Sequence, residues 1–253
     1  MTAQTRRLAT ALVAVIVASA TTSPALADAG YALPKPDAEG FITIFNGENL
    51  AGWQGLRDYW SVEDGAIRGH ETKDASRQTF LVFTALRMED FELRLKYKFT
   101  TPAGNSGVQF RSVVLDRESW VVGGYQADLD AEAKFDGSIY DEAGIAGGRG
   151  SMSSRGKRTI WDADDTRWEV PLGGAVTDLK AAIRIGDWND LMLTAKGKQI
   201  TYAINGHVMT ELIDGSPHAL GEGVLALQIH NGFTMEVLFK DVKVKPLKKS
   251  SAD

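Results

Sequence analysis

Three pieces of residues 104–142 decide the fold: GNSGVQFR (104–111), GYQADLD (124–130) and GSIYDE (137–142). Each alternates with a period of two. Val108 and Phe110 stand opposite Asn105, Gln109 and Arg111. Tyr125, Ala127 and Leu129 stand opposite Gln126, Asp128 and Asp130, and Ile139 stands opposite Ser138 and Tyr140, with Asp141 and Glu142 closing the run. This alternation predicts half-buried strands of an antiparallel sheet. The polar sides gather amides, carboxylates, a guanidinium and a phenol, all of which make directional hydrogen bonds. A sheet face of that kind grips a polar ligand, and a sugar is the first candidate.

Working outward, LALQIHN (225–231) repeats the pattern, with Leu225, Leu227 and Ile229 on one side and Ala226, Gln228 and His230 on the other. Phe91, Leu93, Leu95, Tyr97 and Phe99 alternate with Glu92, Arg94, Lys96 and Lys98 in the clearest strand of the chain. Asp64-Gly65 and Asn205-Gly206 are hairpin signals between short apolar runs. Residues 143–170, rich in Gly, Ser, Arg and Asp, show no period and read as a long loop holding Trp161 and Trp168. Residues 178–185 read as a short helix or a loop. No segment has the pattern of a long amphipathic helix. The expected fold is therefore all-β, a jelly-roll sandwich of two antiparallel sheets with one concave polar face. Its expected span is residues 40–247, after a leader at 28–39 and before a tail at 248–253.

The N-terminus reads as a secretory signal over residues 1–27. Arg6 and Arg7 precede the apolar stretch 8–20, and Ala25-Leu26-Ala27 forms a small-residue cleavage site. The apolar stretch is shorter than the ~20 residues a membrane span needs, so no membrane association is expected after cleavage, and the mature protein is expected in the periplasm or outside the cell. Cleavage removes two arginines and no acid, taking the net charge from −5 to −7. That charge, with basic residues clustered only near the C-terminus, argues against nucleic acid as a partner. The chain has no cysteine, which excludes disulfides, thiol nucleophiles and thiolate metal sites.

The ordered motifs FNGENLAGW, DFELRLKYK, GNSGVQFR, GYQADL, GSIYDE, WND, INGHV and LQIHNG followed by VLFKDVKVKPL resemble the DUF1080 family of 3-keto-disaccharide hydrolase domains, over most of residues 40–247. The resemblance implies a concanavalin-like (LamG-like) sandwich that cleaves glycosidic bonds in sugars oxidised to a ketone at C3, so the expected partner is an oxidised disaccharide or glycoside. A ketone at C3 acidifies the C2 proton, and losing that proton can expel the group at C1. This route needs a base, a proton donor for the leaving oxygen and partners for the enolate.

The candidates are His230 or Asp128 as base, Glu142 or Tyr140 as proton donor, and Arg111 with Gln126 as enolate or hydroxyl partners. Asn105, Gln109 and Gln228 are candidate sugar contacts. Trp120, Trp161 and Trp168 are candidate stacking platforms, since Trp53, Trp60 and Trp188 sit in framework motifs. Each residue also has a plainer reading. Arg111 suits a structural ion pair, Asp128 and Asp130 suit exposed carboxylates or ligands of a structural Ca²⁺, and a lone histidine is usually structural. No metal-binding spacing stands out, and no cofactor is expected. A non-catalytic carbohydrate-binding module using the same face is the main alternative. A glycosidase of laminarinase type is the third, and it lacks the strand of paired glutamates it would need.

Overall fold

Phe91, Leu93, Leu95, Tyr97 and Phe99 are all buried, and the polar residues between them are half-exposed. That strand lies inside a sheet with one side in the core. In the computed structural model, which describes residues 31–72 and 77–248, the strands in chain order are β1 (Ile42–Thr43), β2 (Trp53–Gln54), β3 (Trp60–Glu63), β4 (Ala66–Thr72), β5 (Thr79–Met88) and β6 (Phe91–Phe99). The chain continues through β7 (Asn105–Asp116), β8 (Val121–Asp130), β9 (Ile139–Glu142), β10 (Ser151–Ser153), β11 (Lys157–Trp161) and β12 (Arg167–Pro171). After the six-residue helix α1 (Val176–Ala181) come β13 (Asn189–Lys196), β14 (Gln199–Ile204), β15 (His207–Asp214), β16 (Gly223–Ile229) and β17 (Thr234–Pro246). The expected signal sequence lies outside the described residues.

Two sheets face each other. One runs β12-β11-β15-β14-β13-β6-β17-β4-β3 with β1 also paired to β17, and the other runs β10-β9-β8-β7-β16-β5-β2. Their inner faces make one continuous core that includes Trp53, Trp60, Phe83, Phe91, Tyr97, Phe110, Tyr125, Leu227 and Phe239. The turn signals act as read: Asp64 and Gly65 have φ of 48° and 76°, and Asn205 and Gly206 have 50° and 80°, the pair of positive angles that a two-residue hairpin requires.

Two expectations are corrected. Residues 143–170 are not a loop throughout, because β10, β11 and most of β12 lie there. β11 pairs with β15 through four register positions and with β12 through five. No simple period marks this stretch because β12 is an exposed edge strand and β11 is short. The sheets are also not wholly antiparallel, since β11 runs parallel to β15.

The four polar segments do become neighbours, in the order β9-β8-β7-β16. Gly107 makes their close packing possible: a Cβ there would sit 2.4 Å from Cδ of Gln126, whose side chain lies flat across β7.

Candidate active site

The outer face of the smaller sheet curls into a groove of about 800 Å³, lined by Gln78, Asn105, Gln126, Asp128, Tyr140, Glu142 and His230 among others. The curl is strong. Glu142 stands on β9, yet its carboxylate accepts hydrogen bonds from Gln228 on β16 (3.2 Å) and from Gln78, which immediately precedes β5. Those strands lie three and four places away in the sheet. Convergence of side chains over a concave floor is what lets residues from separate strands form one site.

Asp128 accepts a hydrogen bond from Gln126 at 2.9 Å. Gln126 accepts from Gln109 at 2.8 Å, and Gln109 accepts from the Ser112 hydroxyl at 2.7 Å. Burial, opposed by the Gln126 hydrogen bond and reinforced by the charges of Glu142, Asp136 and Asp130, pushes the Asp128 carboxyl up to about 8. Burial also raises Glu142, while Gln78, His230 and Gln228 act in the opposite direction. Two carboxyl groups in one groove thus sit in unlike environments. His230 contributes from the end of β16. Its Nδ1 lies 2.8 Å from the Asn231 carbonyl oxygen, which can only accept, so Nδ1 is the donor of that hydrogen bond. The ring meets Phe233 edge-on at 5.8 Å.

Asn105, Gln126, Asp128, Tyr140, Glu142 and His230 are therefore brought together at the groove surface. Gln109 and Gln228 are fully buried. They support the floor through Gln126 and Glu142, which corrects their assignment as direct sugar contacts.

Arg111 does not join the groove. The register of β7 slips between Phe110 and Val113, and Arg111 takes a φ of 48° inside that bulge, which breaks the alternation the sequence implied. Its guanidinium turns away to bond the carbonyls of Glu89 (2.8 Å), Gly197 (2.8 Å) and Leu220 (3.2 Å) and the Asp90 carboxylate (3.0 Å). It is a structural clasp.

The tryptophans are also elsewhere. Trp120 packs on a separate apolar patch with Phe80, Val82, Val122, Val224 and Ala226. Trp161 lies beneath the Arg149 guanidinium at 4.4 Å and donates to the Met152 carbonyl. Trp168, 60% exposed, donates to Asp162 on the β11–β12 hairpin. Asp130 is bound within its own turn, accepting backbone N–H groups of Glu132, Lys134 and Phe135. Among the described residues no group of three or more His, Asp or Glu side chains converges on a metal position.

Sequence reasoning missed Gln78, Phe135, Phe233, Val176 and Arg155, all of which line the groove. None belongs to an alternating run, and only folding places them there. Phe135 is 54% exposed and forms an apolar rim beside the polar floor. Beneath the floor, Asp136 accepts from Tyr97 and from the Asp130 backbone N–H, and burial pushes its carboxyl up to about 7.

The fold and groove define a class: a β-sandwich of the galectin and concanavalin type with a polar concave face. Within that class the chain belongs to the family of 3-keto-alpha-glucoside-1,2-lyase-like domains, whose pattern matches residues 40–245. An 82-residue segment is 37% identical to a 3-keto-disaccharide hydrolase of Bacteroides thetaiotaomicron, covering 28% of this chain and 27% of that protein. The match thus spans about a quarter of that relative's length. A protein of Parabacteroides distasonis proposed to be a glycosyl hydrolase superposes with a TM-score of 0.52 at 20% identity, over 83% of this chain and 95% of that one. The carbohydrate-binding module CBM66 of Bacillus subtilis superposes with a TM-score of 0.51 at 15% identity, over 77% and 95%. The last two likenesses concern the fold alone.

Proposed function

We propose that this protein cleaves the glycosidic bond of 3-keto-disaccharides or 3-keto-glycosides by elimination followed by hydration. The observation that carries the reading is the pair Asp128 and Glu142: two carboxyl groups in one groove, both raised by burial, with Asp128 held by one amide donor and Glu142 by two amide donors and His230. With its pKa near 8, Asp128 holds a proton at neutral pH and serves as the donor. Glu142, steadied by Gln78 and Gln228 and faced by His230, serves as the base, which exchanges the roles of Asp128 and Glu142 expected from the sequence. Family membership supports a sugar as the substrate.

In the first step Glu142 takes the proton from C2, and its electron pair is delocalised into the C3 ketone as an enolate. The enolate then expels the C1 oxygen, which receives the Asp128 proton as the C1–O bond breaks. In the second step Asp128 takes a proton from water, hydroxide adds at C1 of the unsaturated sugar, and Glu142 returns its proton to C2. Gln126 and Asn105 offer amide donors to the enolate and hydroxyl oxygens, and Arg155 brings positive charge to the groove. We further read the protein as exported, on the strength of its N-terminal segment.

The test is incubation of the purified protein with 3-keto-trehalose, 3-keto-lactose and their unoxidised parents while released monosaccharide is measured. Release from the keto sugars alone, abolished in folded Asp128→Asn and Glu142→Gln variants, supports the reading. Saturable glycan binding with no turnover replaces it with that of a carbohydrate-binding module.

A further inference from the structure

Gln228 is fully buried, and its two amide atoms are treated unequally. Its Nε2 donates to the Glu142 carboxylate at 3.2 Å, while its Oε1 has no hydrogen-bond partner among the described residues. A buried carbonyl acceptor left empty is unfavourable, and native interiors rarely keep one. The other amide on the same carboxylate, Gln78, is only partly buried, so its remaining amide atom is accessible to water.

The empty acceptor has a natural use. A glutamate carboxylate only accepts hydrogen bonds, whereas a protonated glutamic acid also donates one. A half-turn of a glutamine amide exchanges its oxygen and its nitrogen with almost no change of shape. If the Gln228 amide turns over, Oε1 occupies the place where Nε2 now meets Glu142.

We infer that Gln228 is a positioning residue that serves both protonation states of Glu142, donating through Nε2 to the carboxylate and accepting through Oε1 from the acid, while Gln78 remains a donor throughout. This rests on the proposed role of Glu142 as the group that takes and returns the C2 proton. A base that must hold a proton through the lifetime of an unsaturated intermediate needs its position kept in both forms, and a reversible amide provides that. The titratable and charged groups lining the groove around this carboxyl are Asp128 and Asp130 from β8, Tyr140 from β9, His230 from the end of β16, Glu132 and Lys134 from the turn after β8, and Arg155 after β10. None of them donates to Glu142 in the way the two amides do.

The experiment reads the proton directly and does not depend on turnover. Protein labelled with ¹³C at glutamate Cδ and ¹⁵N at glutamine side chains is titrated by NMR, with Glu142 and Gln228 assigned from Glu142→Gln and Gln228→Met. In the wild-type protein the Gln228 side-chain ¹⁵N resonance is expected to move with the midpoint of the Glu142 carboxyl. Gln78→Met, which removes a donor to the charged form alone, is expected to raise that midpoint by about one pH unit. Gln228→Met is expected to raise it by less than half as much. A Gln228 resonance that stays flat through the Glu142 titration overturns the inference, as does a Gln228→Met shift equal to that of Gln78→Met. If a variant does not fold, NOEs in the wild-type protein decide: loss of the contacts from the Gln228 amide protons to Glu142 below its midpoint supports the turnover, and contacts that persist overturn it. Absence of keto-sugar cleavage would remove the proposed reaction and leave this titration result standing on its own.

Discussion

Gln126 donates its amide to Asp128 at 2.9 Å while its own oxygen accepts from Gln109 at 2.8 Å, so the carboxyl proposed as proton donor ends a line of buried amides. The Gln126 hydrogen bond favours the charged carboxylate and works against the effect of burial. Gln126→Met removes it. The alkaline limb of kcat/KM, set by Asp128 losing its proton near pH 8, is expected to move up by about one unit. A pH profile of keto-sugar cleavage reads the shift.

The raised carboxyls have a consequence for stability. In the folded chain Asp128 keeps its proton up to about pH 8 and Asp136 up to about 7, whereas both ionise near 3.8 when unfolded. Between those values the unfolded chain binds fewer protons, so stability falls as pH rises through that window. Asp128→Asn, which can still accept from Gln126, is expected to melt with the wild type at pH 4 and above it at pH 8.5. A gain of only ~1 kcal/mol raises Tm by ~2–4 °C in a chain of this size, well within reach of thermal denaturation followed by circular dichroism.

Arg111 separates architecture from chemistry. Its charge is 3% exposed and paired with Asp90, so Arg111→Met leaves that carboxylate with the Gly197 N–H but no countercharge and removes the guanidinium from three carbonyls. The expected loss is ~3–5 kcal/mol of stability, measured by urea denaturation. At a temperature where the variant is folded, KM for a keto sugar is expected to match the wild type, because the guanidinium does not reach the groove.

Phe135 makes the opposite separation. Being 54% exposed on the groove rim, it contributes little to the core, and Phe135→Ala is expected to change stability by less than ~0.5 kcal/mol. Loss of an aromatic contact with bound sugar is expected to weaken ligand binding by ~0.5–1.5 kcal/mol, read by calorimetry with a substrate the Glu142→Gln variant binds without turning over.

Much of this molecule could be read from local pattern. The alternation of Phe91 to Phe99 fixed which side of that strand is buried, because side chains in a strand point alternately to the two faces; Leu225 to Ile229 alternates in the same way, yet both of its sides are covered. Asp64-Gly65 and Asn205-Gly206 marked hairpins, because few residue pairs tolerate two successive positive φ values. The same period put Gln126, Asp128, Tyr140 and His230 on polar faces before anything was known of their neighbours.

What the period could not carry was any break in itself. One bulge at Arg111, invisible in VQFRSVV, sends the most conspicuous cation of the motif to the wrong side for binding. The short parallel pairing of β11 with β15 left no pattern in residues 143–170. Nor could a local rule bring Gln78 and Gln228 to Glu142 across four strands. The sequence alone determined the strands outside residues 143–170, the buried face of the regular ones and a polar sheet surface, since these follow from interactions between residues close in the chain. Only the tertiary structure decided which polar groups meet, because sheet curvature and bulges arise from packing between residues distant in the chain.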